Sequence, residues 1–123
     1  MPSIEWEKKV TKKDLDAAKG YLHLIFDAGE AKRALEKLEE ERTTIQKFKV
    51  RDILRASLNE LKPESNEDVQ KQFVKMFEGE PLVPILLVRK ENKVFIVDGY
   101  HRMCAAYYLD KECEMHCVLV GID

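Results

Sequence analysis

Apolar residues in the first third of the chain recur at helical spacing. After Thr11, the positions Leu15, Ala18, Leu22, Ile25 and Phe26 fall on one face, and Thr11 or Asp14 can cap the start. Gly20 lies inside this stretch at a cost of about 1 kcal/mol relative to Ala, which a closely packed neighbour would offset. Asp27-Ala28-Gly29 breaks the pattern, and residues 30–42 resume it with Ala31, Ala34, Leu35 and Leu38 on one side. Two antiparallel helices follow, an αα-hairpin over residues 11–42. The charges between Glu36 and Arg42 read as the solvated side of the second helix, with no function assigned.

The pattern then changes. Residues 43–50 are β-branched and aromatic, with Ile45, Phe48 and Val50 as apolar members, and predict an extended segment followed by a short helix over 50–57. Residues 58–65, with Asn59, Pro63, Glu64 and Ser65, have loop composition and are expected to be mobile unless a ligand orders them. Asn66 is placed to cap a helix whose stripe is Val69, Phe73, Met76 and Phe77 and which Gly79 ends. The runs 84–89 and 94–97 flank the polar turn Lys90-Glu91-Asn92-Lys93 and predict a hairpin. Both runs are apolar at successive positions, so both faces of these strands are expected to be covered. A helix over 100–109 and a strand over 115–120 complete the chain. The fold class is therefore α+β: a small mixed sheet from residues 45–50, 84–89, 94–98 and 115–120, covered by helices, with the helical hairpin packed alongside.

Composition narrows the class. The 123 residues suffice for one domain, 1–123, in which the hairpin joins a core over 43–123. Charged residues at 36% and apolar residues at 45% are those of a globular chain. No apolar run approaches the ~20 residues of a membrane span, and the N-terminus lacks a basic segment followed by an apolar one, so a cytoplasmic protein without membrane partners is expected. Three cysteines, Cys104, Cys113 and Cys117, suggest free thiols. A net charge of −2 argues against the electrostatic footprint of specific DNA binding.

Candidate chemistry concentrates in Val97-Asp98-Gly99-Tyr100-His101-Arg102, where a buried strand passes directly into a helix. The unpaired N–H groups at a helix start and its dipole favour an anion. Gly99 would let a phosphate approach the backbone. His101 and Arg102 occupy a first turn where the dipole disfavours cations by about 0.3–1 kcal/mol each, unless an anion lies between them. Arg suits phosphate with its planar fork, and His can donate to a phosphoryl oxygen or move a proton. The blander alternative stays open: Asp98 as an N-cap, His101 on the surface and Arg102 paired with a nearby Glu. Asp98 has a third reading as a Mg²⁺ ligand.

The stretch 84–120, with Ile-Leu-Leu-Val-Arg, a hairpin, Asp-Gly-Tyr-His-Arg, an Ala-containing helix and a closing strand, resembles the ParB N-terminal and sulfiredoxin-like superfamily, which includes free-serine kinases. Residues 48–78 are similar to the segment that leads into that core. The resemblance implies nucleotide phosphates bound at Gly99, Tyr100, His101 and Arg102, with CTP, ATP or ADP and Mg²⁺ as the ligands. Sulfiredoxins carry a nucleophilic Cys where this chain has Tyr100, and a phenol cannot replace that thiolate, so sulfiredoxin activity is not expected. ParB proteins have further DNA-binding and dimerisation domains, which this sequence does not contain. The free-serine kinases share Asp-Gly-x-His-Arg, so nucleotide hydrolysis or phosphotransfer is the enzymatic reading, with Asp98, Glu60 or Glu64 as candidate bases and whether the chain is an enzyme left open. The alternative is a non-catalytic interaction module, docking a partner or a second copy in a homodimer, or a DNA-associated accessory module.

Other patterns read as packing. Cys113, His116 and Cys117 suggest zinc, but alternation along a strand puts His116 opposite the two cysteines, and a fourth ligand is missing. Cys104 reads as a small core residue and His23 as a boundary residue. Trp6, Tyr21, Tyr107 and Tyr108 read as packing aromatics with polar tips rather than a base-stacking set.

Overall fold

The structure is a computed structural model that describes residues 3–122. Thr11 starts α1 (Lys12–Ile25), its amide and hydroxyl both donating to the Asp14 carboxylate at 2.9 and 2.6 Å. α1 ends at Phe26, and Asp27 immediately caps α2 (Ala28–Glu40). The Glu30 amide donates to Asp27 at 2.8 Å and holds that carboxyl below its usual range, and the Glu30 side chain returns to the Asp27 amide. The break expected over 27–29 is thus a two-residue turn followed by a capping box. Gly20 is exposed and a Cβ there would meet nothing within 4 Å, so no packing partner explains it.

β1 (Gln46–Lys49) is short and runs straight into α3 (Val50–Ser57), which ends at Leu58 in the left-handed region. After the loop, the Asn66 side chain accepts from the Asp68 and Val69 amides at 2.9 and 3.1 Å and starts α4 (Glu67–Phe77). Gly79, at φ 72°, closes that helix, as its position in the sequence predicts. Of the expected α4 stripe, Val69 and Met76 are buried, whereas Phe77 is 65% exposed: it belongs to the outer surface. β2 (Ile85–Lys90) and β3 (Lys93–Asp98) form the hairpin, with Glu91 at φ 56° in its turn. α5 (Tyr100–Leu109) then returns the chain to β4 (Glu114–Gly121).

The sheet order is β1-β4-β2-β3, antiparallel except for the central β2 and β4, which are parallel. Parallel neighbours need a crossover, and α5 supplies it. The alternation of side chains divides the core in two. Leu86, Val88, Val97, Val118 and Val120 face Leu15, Ala18, Leu22, Phe26, Ala31, Ala34 and Leu38 of the hairpin. Ile85, Leu87, Ile96, Met115 and Cys117 face α3, α4 and α5 through Ile53, Val69, Met76 and Met103 to Ala106. The protein is α+β, with helices on both faces of a four-stranded mixed sheet. No helix among the described residues is long and apolar enough to cross a membrane.

Candidate functional site

The junction between β3 and α5 is built around one glycine. Gly99 is the N-cap of α5 at φ 100°, a backbone region hostile to L side chains. A Cβ there would lie 2.3 Å from Cγ2 of Ile85 and 2.8 Å from its Cβ, inside contact distance of the neighbouring strand. The chain can therefore turn from strand to helix in a single residue and still press against β2.

No side chain among the described residues caps α5, and its first turn carries no acidic residue. Met103 donates back to the Gly99 carbonyl at 2.9 Å, which leaves the amides of Tyr100, His101 and Arg102 without intrahelical acceptors. These amides sit beside a cleft of about 460 Å³ lined by Tyr21, Asn59, Glu60, Ile96, Val97, Asp98, Gly99, Tyr100 and His101. That volume is in the range of small-molecule sites.

Asp98 is not the cap. Its Oδ2 accepts from Nη2 of Arg102 at 3.1 Å, one helical turn on, and Nη1 of the same guanidinium donates to the Val83 carbonyl. Arg102 is 15% exposed and ties the strand before the turn, the helix after it and the segment leading into β2. Burial raises the Asp98 carboxyl above the ordinary aspartate value, and Arg102 opposes that rise. Arg102 thus pairs with an acid, as the bland reading anticipates, but with Asp98 rather than a Glu. A Mg²⁺ ion on Asp98 would have to compete with this guanidinium, and no group of three His, Cys, Asp or Glu placed to hold a metal occurs among the described residues.

His101 and Tyr100 reach outward from the same turn. Nε2 of His101 lies 3.8 Å from Oδ2 of Asp68, in the first turn of α4. The Tyr100 hydroxyl donates to the Glu60 carbonyl, and burial pushes its phenol up to about 12, with Cys104 and Glu60 contributing. Tyr108, about two turns further along α5, repeats the contact by donating to the Lys62 carbonyl at 2.7 Å, and Gln70 donates to the Glu64 carbonyl at 2.6 Å. The loop over 58–65, expected to need a ligand for order, is held by three side chains of the protein itself.

No family model, curated protein or solved structure matches this chain. The structure places Asp98, Gly99, Tyr100, His101 and Arg102 in one turn, with four of them lining the cleft and Arg102 directed inward as a tie. Glu60 joins that cleft, while Glu64 lines a separate groove with Phe73, Val74 and Phe77. Sequence reasoning missed Asp68 beside His101, and it gave Asn59 only a loop role and Tyr21 only a packing role, whereas both line the cleft. Asp68 carried a faint signal, as an acid two residues after an N-cap; Tyr21 carried one in its aromatic ring, set aside because aromatics at helical spacing usually pack.

The cysteines and His116 are accounted for by packing. Cys104 and Cys117 are buried, and burial drives the Cys117 thiol up to about 12 and the Cys113 thiol up to about 11. His116 stacks on Trp6 with ring centroids 5.0 Å apart. His23 is exposed rather than at a boundary.

Proposed function

We propose that this protein binds the phosphates of a nucleotide at the start of α5, with the amides of Tyr100, His101 and Arg102 as the anion cradle and the His101 ring as a mobile donor. The observation that carries the reading is the uncapped, acid-free first turn of α5, opened by a glycine whose φ of 100° and closeness to Ile85 disfavour a side chain, on the wall of a cleft of about 460 Å³. The Asp-Gly-Tyr-His-Arg resemblance points the same way. Arg102 serves as a positioning residue: its fork is committed to Asp98 and Val83, so it fixes the turn rather than reaching for the ligand.

The cleft's charge adds a condition. Glu60 and Asp98 line it and His101 is its one basic side chain among the described residues, so a bare polyphosphate meets carboxylates there. Mg²⁺ arriving with the nucleotide offsets that repulsion, since this ion commonly binds substrate phosphates with few protein ligands. Hydrolysis or phosphotransfer would build on this binding, and the same site serves either.

The test is calorimetric titration and thermal denaturation with CTP, ATP, ADP and inorganic tripolyphosphate, each with and without Mg²⁺. A ligand at 100 times its Kd stabilises by about 2.7 kcal/mol. Binding that requires Mg²⁺ and weakens in His101→Ala supports the reading. Silence from every phosphate compound removes it and favours an interaction module instead, for which the exposed Val74 and Phe77 of α4 are the specific observation.

A further inference from the structure

α4 presents two large apolar side chains to solvent. Val74 and Phe77, one turn apart, are 54% and 65% exposed. They border a groove of about 550 Å³ between α4 and the end of α5, whose other apolar residues, Phe73, Tyr108 and Leu109, are half-buried against the core. Scattered apolar residues on a surface are ordinary, but a continuous set along a concave groove marks a contact site. The groove shares no lining residue with the cleft at the start of α5.

The charges beside the groove are of one sign. Glu64 and Glu78 line it, no Lys or Arg does, and neither carboxylate has a hydrogen-bond or ion-pair partner among the described residues. Lys71, elsewhere on α4, is drawn to Asp68 at 3.7 Å. Gln70 holds the Glu64 carbonyl at 2.6 Å and Glu78 is the C-cap, so the two acids flank a stretch of two helical turns, about 12 Å. The backbone of an occupant is constrained as well. The apolar walls are helices, whose main-chain groups bond within the helix, so they offer no open strand edge to an extended peptide. An occupant must satisfy its own backbone, which a helix does.

We propose that this groove docks a basic amphipathic helix of a partner protein, whose apolar residues at i, i+3 and i+4 spacing cover Val74 and Phe77 and whose Lys or Arg residues two turns apart, at i and i+7, meet Glu64 and Glu78. The surface is separate from the phosphate cradle and acts whether or not a nucleotide is bound.

Fluorescence anisotropy on the full chain, without nucleotide, tests it with three labelled model peptides of about four helical turns: a leucine and lysine peptide with this spacing, a scrambled peptide of the same composition, and the leucine and glutamate counterpart. The first should bind about tenfold or more tighter than either control, and added salt should weaken it. Val74→Ser combined with Phe77→Ser, both at exposed positions, should cost about tenfold or more in affinity while leaving cooperative thermal unfolding unchanged. Glu64→Gln combined with Glu78→Gln should remove most of the salt dependence. Equal affinity for the scrambled peptide overturns the proposal, as does binding that neither pair of substitutions changes, or silence from all three peptides. A dimer in sedimentation velocity that Val74→Ser with Phe77→Ser dissolves also overturns it, because the groove then belongs to a second copy of this chain.

Discussion

At the scale of single residues the junction turns on Gly99 and Arg102. A methyl group at Gly99 meets Ile85 at 2.3 Å and must also hold φ 100°. Overpacking of about 1–3 kcal/mol adds to left-handed strain of about 1–2 kcal/mol, so Gly99→Ala should lower stability by roughly 2–5 kcal/mol in urea denaturation. Arg102→Ala leaves Asp98 partly buried without its partner, at a cost of about 1–3 kcal/mol near neutral pH. That cost depends on pH with a definite sign. Burial already raises the folded Asp98 pKa, so the folded state holds its proton more tightly than the unfolded chain does and the group's contribution is lost as pH rises. Removing Arg102 removes the main force opposing the rise. The stability gap between wild type and Arg102→Ala should therefore shrink as the pH is lowered through the raised pKa of Asp98 and the carboxyl protonates; a gap that stays constant would mean that Asp98 is not the group left behind. The i, i+4 spacing of these two residues was visible in the sequence, but an aspartate before a helix is read first as a cap. Only the three-dimensional position of Val83, nineteen residues earlier, shows why Arg102 turns inward instead.

At the scale of elements, the helices and strands were legible wherever hydrophobic period and caps agreed. α3 begins at Val50 as expected, and Asn66 caps α4 as expected, because a change of period and a strong cap are local signals. The 27–29 break was shorter than it looked, since Ala28 and Gly29 interrupt an apolar pattern without interrupting a helix. Gly20 marks a different kind of surprise. With no neighbour within 4 Å of its missing Cβ, Gly20→Ala should stabilise by about 1 kcal/mol and raise the melting temperature. A destabilised variant would show that this helix must bend or open at Gly20. Composition predicts a loop over 58–65 that only a ligand would order, because it reports turn chemistry and says nothing of tethers from elsewhere in the chain. Its ties to Tyr100 and Tyr108 are long-range and end on main-chain carbonyls, for which no residue pattern exists. The double variant Tyr100→Phe with Tyr108→Phe keeps the rings and removes both hydroxyls. Amide exchange over 58–65 should then accelerate while exchange in β2 and β4 stays slow; unchanged loop exchange would assign its order to Gln70 and local packing.

At the scale of the whole molecule, the N-terminal hairpin reads in the sequence as an addition packed alongside a core, whereas the sheet shows it to be half of the core. Five strand side chains, Leu86, Val88, Val97, Val118 and Val120, are buried on the face that α1 and α2 cover. Exposing five such side chains forfeits about 8–15 kcal/mol, which equals the entire stability of an ordinary domain. The hairpin is also fastened at its margins, by the Lys90 and Glu30 ion pair at the β2 to β3 turn and by Lys37 donating to the Gly121 carbonyl. The candidate site inherits this dependence, since Tyr21 of α1 is part of the cleft that Gly99 and His101 open. A chain comprising residues 43–123 should accordingly lack cooperative unfolding and bind the apolar dye ANS, while adding residues 1–42 as a separate peptide should restore a cooperative transition only if the two faces still find each other. Cooperative folding of 43–123 alone would mean that the face of α3, α4 and α5 suffices, and that the hairpin contributes the wall of a cleft rather than half of a core.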